Sequence, residues 1–226
     1  MNLGRNDRRE GQGQVEYALL LALVGVAVFL LLYLLGLSVA DVLCAVLRPF
    51  GAGETMCAVG FYDDFTDMDA WDAISGDWYV KDGKLCSDHW NGKIFNEDVG
   101  GEDYQITVDG ATLYQGNGYG VFFRVTNTPD FDGYSFQYDP GYRAFIFRKW
   151  VNGYELPPFA VSRVPGGYDW YAEGRKIVLD ISGDTFAAKL DGETILTGSD
   201  DSYEEGGVGL RTWDATEACF DGLGVN

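Results

Sequence analysis

Twenty-one consecutive residues near the start of the chain, Tyr17 to Leu37, contain no charged and no amide side chain. As a helix rising about 1.5 Å per residue they reach about 30 Å, the thickness of a bilayer's hydrocarbon core. Arg5, Arg8 and Arg9 stand before the run, and the chain after it is strongly acidic, so the charge rule puts the N-terminus inside and the bulk outside. A basic start followed by an apolar run admits three readings. It is a cleaved secretory signal, for which Ser38-Val39-Ala40 before Asp41 imitates a cleavage site, a permanent anchor, or a helix whose leader is removed upstream of it. The run exceeds the roughly 7 to 15 residues of a secretory apolar region, which disfavours the first.

The segment Gly11-Gln12-Gly13-Gln14-Val15-Glu16-Tyr17-Ala18-Leu19 resembles the processing site of type IV prepilins, most closely the Flp (type IVb, Tad-system) pilins. In that family the cut follows a glycine and a glutamate is the fifth mature residue, a spacing that Gly11 and Glu16 reproduce, and Glu16-Tyr17 matches the family's Glu-Tyr pair. The resemblance implies a leader over residues 1–11, cleavage by a prepilin peptidase with Gln12 as the new N-terminus, and a hydrophobic pilin helix over 12–48. Glu16 agrees physically: a carboxylate entering hydrocarbon is costly unless paired, and the new α-amino group of a neighbouring Gln12 supplies a partner in a filament of staggered helices. Flp pilins are usually tiny, and this chain departs from that pattern by adding a large second region.

Residues 49–59 read as a short neck, because Pro49, Gly51 and Gly53 disfavour continued helix. Four cysteines, Cys44, Cys57, Cys86 and Cys219, lie on the exported side, where disulfides persist. Three connectivities are possible. The favoured one joins Cys44 to Cys57 across the neck and Cys86 to Cys219, since first and last strands of an antiparallel sandwich often adjoin. No paired Cys/His spacing suggests zinc or haem.

From residue 60 onward, short alternating runs split by turn residues predict an all-β sandwich of about a dozen strands over 60–226. Ile177, Leu179 and Ile181 alternate with Val178, Asp180 and Ser182, and Gly183-Asp184, Asp191-Gly192 and Asp82-Gly83 supply two-residue hairpin turns. Phe122, Phe123, Phe145 and Phe147 are expected in the core. The phrases Tyr62-Asp63-Asp64-Phe65, Gly76-Asp77-Trp78-Tyr79-Val80, Gly118-Tyr119-Gly120-Val121-Phe122-Phe123-Arg124 and Gly206-Gly207-Val208-Gly209-Leu210-Arg211-Thr212-Trp213 resemble the concanavalin A-like and laminin-G-like jelly rolls, which implies that fold for nearly all of residues 60–226.

The superfold hosts many activities, so function is argued from residues. The family-16 glycosidases of this fold carry E-x-D-x-x-E on one strand face, and no such motif occurs here; Glu217 to Asp221 has the wrong spacing and Glu204-Glu205 sits in a Gly-flanked turn. His89, the one histidine, has no accompanying nucleophile and reads as a surface residue. Catalysis is therefore not expected. Purely structural decoration and glycan binding both stay open for the sandwich; for binding, these jelly rolls imply aromatic rings that stack on sugars and Arg or amide groups that orient hydroxyls, and the candidates are Trp90, Arg124, Gln137, Tyr138, Arg143, Trp150 and Arg211. Many members of the fold carry structural calcium, for which Asp63, Asp64 and Asp221 are the candidates. Asp130 to Gly133 is only a fragment of a calcium loop.

The net charge of −19 repels phosphate backbones and makes nucleic acid a poor partner. The sequence thus predicts a structural pilus subunit, inserted in the inner membrane as a precursor and then assembled extracellularly into a homo-oligomeric helical filament by pilus machinery, with the sandwich displayed on its surface for adhesion or surface glycans. The alternative is a membrane-anchored or secreted, non-catalytic carbohydrate-binding jelly roll.

Overall fold

The computed structural model describes residues 60–88 and 90–226, which form one compact unit; the predicted leader, helix, neck and Cys44–Cys57 bridge, with Gly11, Gln12, Glu16 and Tyr17, and also His89, lie outside the described residues. Sixteen strands are present there, more than the dozen expected, and no helix. In chain order they are β1 (Phe61–Asp63), β2 (Asp72–Ser75), β3 (Trp78–Lys81), β4 (Lys84–Ser87), β5 (Lys93–Asn96), β6 (Tyr104–Gln115), β7 (Tyr119–Thr126) and β8 (Asp132–Asp139). They continue as β9 (Ala144–Val151), β10 (Tyr154–Arg163), β11 (Arg175–Ser182), β12 (Thr185–Leu190), β13 (Glu193–Ser199), β14 (Gly207–Thr212), β15 (Glu217–Phe220) and β16 (Gly222–Val225).

The strands make two antiparallel sheets. One runs β13-β12-β11-β6-β15-β4-β3, with β16 also on β6 and β1 on β16; the other runs β10-β9-β8-β7-β14-β5-β2. The long strand β6 serves both halves of the first sheet, pairing Ile106 to Asp109 with β16 and Thr112 to Gln115 with β15. This is the jelly-roll sandwich that the residue phrases imply.

Local chemistry sets the hairpins. Asp82-Gly83 and Asp191-Gly192 both lie at positive φ, the geometry whose twist matches the flanking strands, and each closes a two-residue turn. Asn152-Gly153 does the same between β9 and β10, a turn the sequence reading did not single out.

The core lies between the sheets. Ile177, Leu179 and Ile181 are buried there as expected, against Phe123, Tyr134, Phe136, Phe147 and Phe186. All four expected phenylalanines are buried, Phe122 in a different cluster from the other three. Successive side chains of a strand face opposite ways, so Phe122 and Phe123 cannot both enter the sandwich. Phe122 instead joins Phe95, Val125, Phe131 and Trp150 in a second cluster, on the outward face of the seven-stranded sheet.

Cys86 and Cys219 are opposite one another on β4 and β15, with Cα atoms 4.1 Å apart, and form a disulfide. The pairing follows from the early and late strands lying side by side.

Candidate functional site

Alternation decides which side chains reach the outward face of the seven-stranded sheet. In β8, Tyr134, Phe136 and Tyr138 enter the core, so Ser135, Gln137 and Asp139 point outward. In β9, Phe145 and Phe147 enter it, leaving Ile146, Arg148 and Trp150 outward, and in β14 the burial of Val208 and Leu210 turns Arg211 outward. Register then aligns them. Arg211 lies opposite Gly120, Gly120 opposite Gln137, and Glu155 opposite Trp150.

Arg211 is the centre of this face. Its guanidinium carbon is 4.7 Å from the Trp150 ring centroid and 4.6 Å from that of Trp213, and Nη1 donates to Glu155 Oε1 at 2.7 Å. Gly120 makes room for it: a Cβ there would stand 2.9 Å from Arg211 Cγ and 2.7 Å from the Phe136 carbonyl oxygen. Glu155 also accepts from Gln137 Nε2 and ion-pairs with Arg148 Nε at 3.4 Å, while Arg148 Nε donates to Gln137 Oε1 at 3.0 Å. Trp150 is fixed in turn by its Nε1–H donating to Ser135 Oγ at 2.9 Å.

The electrostatics follow from crowding. Burial lowers the Arg211 guanidinium below its ordinary range, opposed by Glu155 and reinforced by Arg148. Burial, then Arg211, lowers the Lys93 ammonium, which sits 5.7 Å from the Trp150 centroid. Burial raises the Asp139 carboxyl, although its Oδ1 accepts the Tyr142 N–H at 2.7 Å. The Tyr142 ring, 40% exposed, lies 4.5 Å from the Arg163 guanidinium and 5.9 Å from that of Arg148. These groups supply a fixed carboxylate acceptor beside several cationic donors, an arrangement that suits vicinal hydroxyls.

Of the seven glycan candidates, the structure brings Gln137, Trp150 and Arg211 together on the outward face, each of them buried, beneath the partly exposed Arg148 and Glu155. Trp90 is 62% exposed on the loop between β4 and β5, whose Gly92 carbonyl accepts the Thr212 N–H beside Trp213. Arg143 is exposed in the β8–β9 turn at positive φ. Arg124 and Tyr138 are corrections. Arg124 is 2% exposed, at a positive φ where the register of β7 shifts, and its guanidinium donates to the carbonyls of Tyr203, Glu102 and Gly183; it ties loops together inside the domain. Tyr138 is fully buried, stacked on Tyr119 at 4.9 Å, with its hydroxyl donating to the Trp170 carbonyl. Arg148, Glu155, Asp139, Tyr142 and Trp213 escaped the sequence reading. The signal for Arg148 was its parity with Trp150 against Phe145 and Phe147; for Glu155 it was the Asn152-Gly153 turn, which sets Glu155 opposite Trp150 ahead of the bulge at Pro158.

The three calcium candidates each have protein partners. Asp63 Oδ1 accepts the Phe65 N–H at 2.7 Å and Oδ2 the Trp71 Nε1–H at 2.6 Å, Asp64 accepts the Thr66 N–H, and Asp221 ion-pairs with Lys84 at 3.2 Å. Among the described residues no three acidic, His or Cys side chains converge as a metal would need.

No known family model matches the sequence, and no curated protein does. Solved structures match the fold. A carbohydrate-binding module, CBM66 from Bacillus subtilis, is 23% identical with a TM-score of 0.60, covering 69% of this chain and 94% of its own. A Bacillus subtilis protein of unknown function with a galectin-like fold is 15% identical, with a TM-score of 0.61 over 74% and 94%. A β-1,3-1,4-glucanase from a mouse hindgut metagenome is 15% identical, with a TM-score of 0.53 over 74% and 98%. Residues 60–226 are thus a concanavalin A-like, galectin-like jelly roll, a fold those structures share between binding modules and glycosidases.

Proposed function

We propose that the domain binds carbohydrate without cleaving it, on the outward face of the seven-stranded sheet. The observation that carries this reading is Arg211 held between Trp150 and Trp213 with Glu155 shared between it and Arg148. The partly exposed Arg148 guanidinium donates to one sugar hydroxyl while Glu155 accepts from its neighbour, the buried Arg211 holds Glu155 in place, and the exposed rings of Trp90 and Tyr142 are available for stacking. Against catalysis, glycoside cleavage needs a carboxyl free to give a proton and a second one across the bond. Glu155 is occupied by two guanidiniums and an amide, and Asp139 by a turn N–H. The similarity to a carbohydrate-binding module of the same fold supports the reading.

The N-terminal residues supply the display: Gly11, Gln12, Glu16 and Tyr17 place the domain on a pilin-type helix at the cell surface, as a subunit of a filament. N-terminal sequencing of surface material tests that half. A start at Gln12 supports it, whereas a start at Asp41 or Met1 overturns it and leaves a secreted or anchored domain.

The binding half is tested by probing a glycan array with the detergent-solubilised full chain, then titrating the best ligand into the wild type and Arg211→Gln. Binding that falls at least tenfold in the variant, with the far-UV spectrum unchanged, supports the site. Undiminished binding moves it elsewhere, and no binding to any glycan overturns the reading.

A further inference from the structure

We propose, resting on the carbohydrate reading above, that the glycan this face takes is anionic, bearing a carboxylate or a sulfate ester at the cationic side of the patch. Residues 60–226 hold 12 Lys and Arg against 30 Asp and Glu, so a basic side chain on this domain should rarely want for a partner. Elsewhere five of the other eight have one, while Lys81, Arg124 and Arg143 have no ion pair among the described residues. Lys84 has Asp221, Lys149 has Asp200, Arg175 has Asp191, Lys176 has Asp109 and Lys189 has Asp180, each at 2.6 to 3.3 Å.

On the outward face the ratio inverts. Lys93, Arg148 and Arg211 stand around two carboxylates, Glu155 and Asp139, and Arg163 lies farther along the face against the Tyr142 ring and carbonyl. Arg148 and Arg211 share Glu155, and among the described residues neither Lys93 nor Arg163 has an ion pair. Arg211 Nε, in a side chain 7% exposed, has no hydrogen-bond partner, and Nη1 to Glu155 is the one side-chain hydrogen bond that Arg211 makes among those residues.

Cations drawn together in a partly dry place repel one another, and at Lys93 the Arg211 guanidinium adds to burial, the larger cause, in lowering the ammonium. A fold whose surface is otherwise acidic keeps such an island only against that repulsion, and an arriving anion relieves it. A neutral sugar would need the donor and acceptor pair of Arg148 and Glu155 but not Lys93 and Arg163. The acidic remainder of the domain repels polyanions at long range, so an anionic chain has to be recognised locally, by shape and by stacking as well as by charge.

The test uses the detergent-solubilised full chain and matched polymers in calorimetric titration: polygalacturonate against its carboxyl-reduced form, chondroitin sulfate against its desulfated form, and poly-glutamate as a polyanion without sugar. The expected result is at least tenfold tighter binding of one charged glycan than of its neutralised form, weakening severalfold from 50 to 200 mM salt. That preference should fall to parity in Lys93→Gln/Arg163→Gln. Preference for the uronate assigns a carboxylate, and for the sulfated chain a sulfate. Equal binding of charged and neutralised glycans, or of poly-glutamate, overturns this inference while the carbohydrate reading stands. Failure of every glycan, charged or neutral, removes both.

Discussion

Arg211 and Glu155 are 56 positions apart in the chain and 2.7 Å apart in space, joined across the outward face of one sheet by strands that also place Trp150 beside them. Glu155 is the one acceptor common to Arg211, Arg148 and Gln137. Glu155→Gln leaves two guanidiniums facing each other with a weaker acceptor. The expected cost is at least tenfold in glycan affinity by calorimetry, and about 1–3 kcal/mol of stability by denaturant unfolding, the range for a partly buried polar group losing its partner.

Gly120 is the void that Arg211 crosses. Gly120→Ala pushes a methyl into the Arg211 stem and the Phe136 carbonyl, in a strand with ordinary backbone angles at that residue. A loss of about 1–3 kcal/mol is expected from overpacking. Affinity should drop with it by more than the loss of folded protein explains, which titration at a temperature well below Tm separates.

Cys86 and Cys219 close a loop with a sequence separation of 133. Chain-entropy arguments give about 4–5 kcal/mol for loops of that order. Reduction, or Cys86→Ala with Cys219→Ala, should lower Tm by many degrees, and a Tm unchanged by reductant would show the constraint to be idle.

Asp200 makes the stability acid-sensitive. Burial works against its charge, but hydrogen bonds from Ser202, Lys149 and Tyr134 outweigh it and hold the carboxyl down at about 2, against an ordinary 3.8. A folded value below the unfolded one gives stability that is present above the unfolded pKa and lost as pH falls through the folded one. The contribution should therefore disappear between about pH 4 and pH 2. Asp200→Asn should flatten that part of a Tm-against-pH curve, and an unaltered slope would assign the acid sensitivity to other carboxylates.

What the sequence made legible was whatever is local. Turn pairs such as Asp82-Gly83 and the alternation of Ile177, Leu179 and Ile181 depend on neighbours a few residues away, and so did the sandwich they compose. The disulfide partner of Cys86 came from a general habit of antiparallel sandwiches and proved right. The patch was legible in fragments. Gln137, Trp150 and Arg211 stood out by residue type, yet Arg124 has the same type and lies inside, because a positive φ at a register shift turns it among loop carbonyls. Glu155 is placed opposite Trp150 by the Asn152-Gly153 turn, a hairpin signal that the sequence reading did not single out. Phe122 is buried as expected, but apart from Phe123, because two adjacent phenylalanines in one strand face opposite ways.

The bond between Cys86 and Cys219 has a mechanical consequence. A pull entering at residue 60 meets β1, held through its three-residue pairing with β16, then β2 and β3, and beyond them a covalent stop. Lys93, Gln137, Arg148, Trp150, Glu155 and Arg211 all lie on the far side of that stop, enclosed between the two cysteines. Such a pull could therefore strip the first strands from the sandwich and still keep the whole Arg211 patch within a closed ring of chain.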